Sequence, residues 1–96
     1  MKPSIALQNH RDSARKIILS HRVQNARIFG SVLHGDDADG SDLDILVDPT
    51  TETTLMDIGA IRLELRDLLG ISVDVLTPRA LPVKFRQRVV DEAVPL

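Results

Sequence analysis

Acidic side chains are concentrated in one stretch, "GSVLHGDDADGSDLD" (30–44), which holds five aspartates and three glycines. Asp42 and Asp44 stand two positions apart in an alternating apolar run. In a strand they share one face, about 7 Å apart. A third aspartate, Asp74, lies between two valines in a later alternating run. If the two strands are neighbours, its side chain lies on the same face as the first two.

Three carboxylates on one face of a sheet repel each other. Two of them about 5 Å apart cost roughly 3 kcal/mol at an effective dielectric constant of about 20, so the cluster predicts a bound cation. Oxygen ligands suit Mg²⁺ or Mn²⁺, which proteins hold with a few carboxylates, waters and substrate phosphates. Asp42, Asp44 and Asp74 are therefore the candidate metal ligands.

The turn at Gly30 and Ser31 follows an apolar run and precedes the aspartates. Glycine lets the backbone approach a ligand closely, and a serine hydroxyl with neighbouring amides can face phosphate oxygens. We expect these two residues to bind a nucleotide. Asp36, Asp37 and Asp39 fall in the connecting loop, where acids favour turns and solvation, and we do not expect them to be ligands.

These residues need alternating helices and strands to position them. Apolar spacing and turn residues predict helices over 4–22, 55–69 and 80–93, and strands over 25–31, 41–48 and 71–77. Thr50–Thr54 form a cap region before the middle helix, and Gly70 ends it. The order predicts an α/β (α+β) fold, a small mixed β-sheet with helices on one face and the other face free for chemistry.

Length and composition predict one domain spanning residues 1–96. The absence of cysteine excludes disulfides and thiolate metal sites and agrees with a reducing compartment. The first residues turn polar before any long apolar stretch develops, so neither a signal peptide nor a membrane span is predicted there. We expect a cytoplasmic protein.

The charge distribution narrows the class of ligand. Residues 1–34 carry six basic side chains and one acid. Residues 35–78 carry two basic side chains and eleven acids, and residues 79–96 carry four basic side chains and two acids. A reader of double-stranded DNA needs a basic face, and a single-strand binder needs aromatics, which make up only 2% of this chain. An acidic centre between basic segments suits divalent cations with a polyphosphate.

Simpler interpretations of the acidic segment compete with a metal site. An isolated Asp-x-Asp is more often a turn with a solvated face. The spacing of "GSVLHG" matches a P-loop, but Asp36 and Asp37 stand where that motif needs Lys and Ser or Thr. An EF-hand loop is excluded because this segment has no glycine at the sixth position of such a loop and no glutamate at the spacing of the bidentate ligand. The combination with Gly30, Ser31 and Asp74 is what favours a nucleotide site.

Together, Gly30-Ser31, Gly35, Asp42-Leu43-Asp44 and Asp74 make the chain resemble the minimal nucleotidyltransferases of the DNA polymerase β superfamily. The segments "LRDLLG", "VDVLTP" and "DEAVPL" are similar too, so the resemblance covers almost the whole chain. It implies Mg²⁺-dependent nucleotidyl transfer from ATP with two ions. Asp42 and Asp44 would ligate both metals, and Asp74 would complete the site and help activate the acceptor hydroxyl. Ser31 would hold the β and γ phosphates.

The resemblance also implies a partner. Small relatives are commonly paired with a HEPN-type ribonuclease toxin, which they silence as antitoxins by transferring AMP to a tyrosine. This chain contains no tyrosine, so such an acceptor must lie on another molecule, and a hetero-oligomer would bring the two together. His34 stands where many relatives carry arginine just before the second glycine, which weakens the charge available to phosphate. Two alternatives stay open: a non-catalytic antitoxin that acts by occlusion, and a subunit of a small-molecule, aminoglycoside-type nucleotidyltransferase.

Overall fold

The alternating run around Leu43, Ile45 and Val47 forms a central strand in the computed structural model, which describes residues 1–96. The helices and strands in chain order are α1 (Pro3–Asn9), α2 (Arg11–Leu19), β1 (Val23–Phe29), α3 (Ser31–His34), β2 (Leu43–Pro49), α4 (Leu55–Leu69), β3 (Val73–Leu76), α5 (Val83–Glu92) and β4 (Val94–Pro95). A 3-10 turn, Pro78–Ala80, lies between β3 and α5.

The four strands form one mixed sheet in the order β3-β2-β1-β4. Strand β2 runs parallel to β3 and antiparallel to β1, and β4 runs antiparallel to β1 at the sheet edge. Parallel neighbours need a crossover connection, which α4 supplies. The predicted fold class, a small mixed sheet with helices packed on it, is confirmed.

The main hydrophobic core lies between the sheet and helices α1, α2 and α4. Leu43, Ile45 and Val47 of β2 are fully buried in one cluster with Ile18 of α2 and Ile61 of α4. Burial of a single leucine or isoleucine contributes about 1.5–3 kcal/mol, so this face of β2 fixes the register of the strand. The aspartates that alternate with these residues must point to the opposite face.

Helix α4 has the boundaries that its flanking residues predict. The Thr54 hydroxyl accepts a hydrogen bond from the Asp57 amide, and the Asp57 carboxylate accepts one from the Thr54 amide. This capping box satisfies two amides that the helix leaves unpaired. Gly70 ends the helix at φ 69°, in the left-handed region where glycine carries no steric penalty. The helix therefore spans the distance from the end of β2 to the start of β3.

The predicted single helix over 4–22 is wrong in one respect, because the chain breaks it at His10 into α1 and α2. His10 adopts φ −133°, outside the helical region, and no proline or glycine marks the place. The break lets Ala6 and Leu7 of α1 reach the core together with Ala14 of α2, whereas Ile5 is exposed.

The C-terminal part of the chain differs more from the expectation. The helix predicted over 80–93 begins at Val83, after the 3-10 turn, and a short strand follows it. The 3-10 turn lies against β2, and Leu46 of β2 is fully buried although it shares the face of Asp44. The second face of the sheet is therefore partly covered, not wholly free as predicted. No helix has the length and hydropathy to cross a membrane.

Candidate functional site

Two of the three predicted aspartates lie side by side on the sheet. In the parallel pairing of β2 with β3, Asp44 stands directly opposite Asp74, and adjacent strands are about 4.8 Å apart. Asp42 lies one residue before β2 begins and is exposed. All three belong to the face opposite the core, as the side-chain alternation predicts.

The electrostatics of this group centre on Asp44, which is half-buried. Burial away from water is the main cause that raises its pKa to about 6, and the nearby charges of Asp74 and then Asp42 add to it. The carboxylates of all three make no ion pair and no hydrogen bond within the chain. By contrast, Asp48 on the same face of β2 is held by Arg27 at 2.5 Å. The three carboxylates therefore have no basic side chain paired with them, whereas Asp48 of β2 is paired with Arg27.

The chemistry of these donors fits a divalent cation. The cluster offers only carboxylate oxygens, the ligands that Mg²⁺ and Mn²⁺ prefer, and a cation would relieve the repulsion that Asp44 experiences. The side chains do not form a closed cage, since no three His, Asp or Glu side chains of the protein converge as a ready metal site. Waters and substrate phosphates would have to supply the remaining ligands, as is usual for Mg²⁺.

Gly30 connects the serine turn to the acidic cluster. It has φ 75°, a conformation that favours glycine, and it follows Phe29, which pairs with Asp44 across β1 and β2. A Cβ at this position would collide with the Asp44 carboxylate, with its Cγ at 3.1 Å. Sequence reasoning assigned Gly30 to phosphate approach and missed this contact, because cross-strand register is not visible in the sequence.

Ser31 begins the one-turn helix α3 directly after Gly30. Its hydroxyl makes no hydrogen bond within the chain, while its carbonyl accepts one from the Asp36 amide at 2.9 Å. At the other end of α3, His34 lies 3.3 Å from Glu92, the last residue of α5. The serine hydroxyl is thus left free at the edge of the cluster, and α5 closes one side of the turn.

One of the loop aspartates has a structural role that the sequence did not reveal. Asp37 is only 8% exposed and accepts a hydrogen bond from the Ser4 amide at 2.9 Å. That bond is the main cause that lowers the pKa of Asp37. Ser4 lies in the first turn of α1, where amides lack partners within the helix. Asp37 therefore caps a helix from a distant loop.

The larger hollows of the surface lie away from the aspartates. One of about 380 Å³ is lined by Arg66, Gly70, Ile71 and Ser72, at the end of α4. None of these hollows is lined by Asp42, Asp44 or Asp74, so the chain itself does not enclose a ligand at the cluster.

Comparison with known proteins identifies the family. The family "Polymerase beta, Nucleotidyltransferase" matches residues 13–96. A proposed protein adenylyltransferase of Methanocaldococcus jannaschii, MJ0435, is 38% identical over 78 residues, which are 81% of this chain and 84% of that protein. A second proposed protein adenylyltransferase from the same organism, MJ1217, is 31% identical over 72 residues, which are 75% of this chain and 74% of that protein.

Solved structures agree with the sequence relatives. A proposed minimal nucleotidyltransferase superimposes with a TM-score of 0.85 at 35% identity, over 97% of this chain and 95% of that one. A toxin-antitoxin structure with AMP-PNP superimposes with a TM-score of 0.73 at 22% identity, over 88% of this chain and 69% of that one, and shows a shared fold. With a match that covers most of its length and the fold of its relatives, this chain belongs to the polymerase β nucleotidyltransferase family.

Proposed function

We propose that this nucleotidyltransferase transfers AMP from ATP to a hydroxyl group on a partner protein. The observation that carries the proposal is the pairing of Asp44 with Asp74 on parallel strands, beside the Gly30 turn. Asp42, Asp44 and Asp74 are the proposed catalytic residues and ligands of two Mg²⁺ ions. Gly30 and Ser31 are the proposed nucleotide-binding residues.

The reaction requires an in-line displacement at the α-phosphorus of ATP. The acceptor oxygen forms a bond to this phosphorus as the bond to the β-phosphate oxygen breaks, and pyrophosphate leaves. Two divalent ions, when bound, stabilise the attacking and the leaving oxygen. On this proposal the exposed carboxylate of Asp74 takes the hydroxyl proton, and the Ser31 hydroxyl donates a hydrogen bond to a phosphate oxygen.

The acceptor is proposed to be a tyrosine of a HEPN-type toxin. The chain has no tyrosine of its own, and Asp42 and Asp74 are exposed, which suits an acceptor carried by another protein. Two findings support this choice: relatives proposed as protein adenylyltransferases, and similar folds in toxin-antitoxin structures, one of them with AMP-PNP. On this proposal the chain is an antitoxin that works in the cytoplasm, where ATP and Mg²⁺ are available.

Labelled ATP tests the proposal directly. The chain is incubated with α-labelled ATP, Mg²⁺ and the protein encoded by the adjacent reading frame, and label on that protein is measured. We expect wild type and Asp36→Ala, a loop acid outside the cluster, to label the partner equally. The Asp42→Ala/Asp44→Ala double variant should lose at least about a thousandfold in rate, a loss of the size that removal of charge-stabilising groups causes.

The same assay separates the alternatives. Label transfer that persists in the double variant, with its fold intact by circular dichroism, would overturn the assignment of these aspartates. Partner inhibition that survives in the double variant would indicate an antitoxin that acts by occlusion. Label on neither protein, with turnover of an added aminoglycoside, would indicate a small-molecule nucleotidyltransferase.

A further inference from the structure

Arg27 is the only basic residue in the four strands of the sheet. It lies on β1 directly opposite Leu46 of β2, on the face that carries the acidic cluster. Asp44 and Asp48 lie two residues to either side of Leu46, so their side chains share this face. Diagonal neighbours in an antiparallel pair are about 7–8 Å apart, which a long side chain can span. Arg27 is therefore within reach of both aspartates.

In the structure the Arg27 guanidinium binds Asp48. Its Nη2 lies 2.5 Å from Oδ1 of Asp48, and no ion pair joins it to Asp44. The Arg27 side chain is only 16% exposed, and its Nε is buried without a hydrogen-bond partner. A largely buried guanidinium that loses its carboxylate is left as an uncompensated charge, which is strongly unfavourable. Without Asp48, Arg27 would therefore turn to Asp44, the other acid within its reach.

Asn25 binds the same carboxylate from the second side. Its Nδ2 donates to Oδ2 of Asp48 at 2.7 Å, so both oxygens of Asp48 are occupied. Asn25 has φ 57° and lies where the register of β1 shifts between Gln24 and Arg27. Asparagine adopts this left-handed conformation more readily than most residues. Bulges of this kind redirect side chains and are common beside active sites, and this one lets Asn25 and Arg27 meet at one carboxylate.

We propose that Asp48, supported by Asn25, holds Arg27 away from the acidic cluster and so keeps that cluster free for a divalent cation. The inference rests on the proposed function, which places such a cation at the cluster. A guanidinium bound to Asp44 would occupy a carboxylate that the cation needs and would add a positive charge beside it. Asp48 and Asn25 are thus positioning residues, which act on the site through Arg27 without contact with the ion.

Binding of Mn²⁺, followed by the paramagnetic resonance signal of the free ion, tests this role. Asp48→Asn should weaken binding at least about tenfold, because Arg27 then competes for the cluster. Asp36→Asn removes the same charge from the loop outside the cluster and should bind Mn²⁺ like wild type. Each variant is first checked for an intact fold by circular dichroism.

A double-mutant cycle separates competition by Arg27 from the loss of a charge. Arg27→Met should change Mn²⁺ binding little in wild type, where Asp48 already holds the arginine, but should restore binding in Asp48→Asn. Equal effects of Arg27→Met in both backgrounds would show that the charges simply add, and would overturn the proposal. Asn25→Gly keeps the left-handed backbone and removes one bond to Asp48, so it should weaken binding less than Asp48→Asn does.

Nuclear magnetic resonance of the metal-free protein measures the position of Arg27 itself. A nuclear Overhauser contact between the Arg27 Nε proton and the Asp44 β protons should be absent in wild type and present in Asp48→Asn. Its absence in the variant would overturn the proposal whether or not the protein binds metal. If the contact forms but wild type binds no Mn²⁺, the placement of Arg27 is supported and the cation site of the proposed function is overturned.

Discussion

At the scale of single residues, the most consequential group is Asp44. Its carboxylate is half-buried and makes no ion pair with a basic side chain. Its pKa, raised to about 6, means that the metal-free protein holds a charge there near neutral pH at a cost to stability. Gly30, which has room for no side chain beside that carboxylate, keeps the cluster and the serine turn in contact.

Replacement of Asp44 by asparagine should change how stability depends on pH in the metal-free protein. The pKa of Asp44 is about 6 in the folded state, against 3.8 for an ordinary exposed aspartate. The folded state therefore binds more protons between these values, so stability falls as pH rises from about 4 to about 6. The stability of Asp44→Asn should not show this fall, because asparagine does not titrate. After allowance for solvent screening, its free energy of unfolding should exceed that of wild type by about 1 kcal/mol at pH 7.

Thermal melts in EDTA from pH 4 to pH 7 measure this effect. The difference in melting temperature between Asp44→Asn and wild type should grow by about 5 °C over that range. Asp36→Asn serves as the control, because its side chain is exposed in the loop outside the cluster. A constant difference across the range would show that Asp44 is not perturbed.

The pattern of residue types predicted most of this cluster. Strict alternation in "SDLDILVD" and "ISVDVLT" defines which side chains oppose the core, since every core position there is apolar. The contact of Gly30 with Asp44 and the burial of Leu46 were not predictable, because each depends on which segment lies across or above β2. Neither the contact nor the burial of Leu46 leaves a pattern in the neighbouring sequence.

At the scale of elements, the acidic loop is attached to the first helix. The Asp37 carboxylate accepts from the Ser4 amide, and Asp39 lies 3.4 Å from the amino group of Met1. The loop that leads into β2 is thus fixed by α1, which in turn packs Ala6 and Leu7 in the core.

Asp37→Ala should destabilise the protein at neutral pH and have little effect in acid. The hydrogen bond from Ser4 lowers the pKa of Asp37 below 3.8, so its stabilising contribution is present above that pH and is lost as pH falls through the lowered value. At pH 7 the variant should melt below wild type, and the difference in melting temperature should shrink as pH falls below 3.8. Asp36→Ala, a matched loop variant, should melt like wild type at pH 7 and in acid.

Helices and strands whose ends are marked by neighbouring residues could be predicted from the sequence. Those whose ends depend on packing against distant segments could not. Helix α4 carries its own start and stop in Thr54 and Gly70, and β3 ends before a proline. The break at His10 has no local signal, since it follows from the need of α1 and α2 to face one core. Strand β4 has two residues and exists only because β1 pairs with it.

At the scale of the whole molecule, the acids are unevenly distributed along the chain. Residues 35–78, which hold eleven of the fourteen acids, include β2 and β3, the parallel pair of the sheet. Asp42, Asp44, Asp48 and Asp74 lie on the sheet face opposite the main core.

Mg²⁺ should stabilise the folded chain through the proposed ligands. At ten times its dissociation constant a ligand that binds only the folded state adds about 1.4 kcal/mol, which is about 6 °C in melting temperature for a chain of this size. The Asp42→Ala/Asp44→Ala double variant should show no such shift. Sodium chloride at the same ionic strength controls for screening, and an equal shift in the double variant would contradict a specific site.

The parallel pairing of β2 with β3 has a consequence for how the chain matures. Asp44 and Asp74 are separated by the α4 crossover, so they become neighbours only when β3 docks. Before that moment the mutual repulsion of the two carboxylates is absent. The repulsion therefore arises in a single step, when β3 pairs with β2, and a bound cation would favour that step.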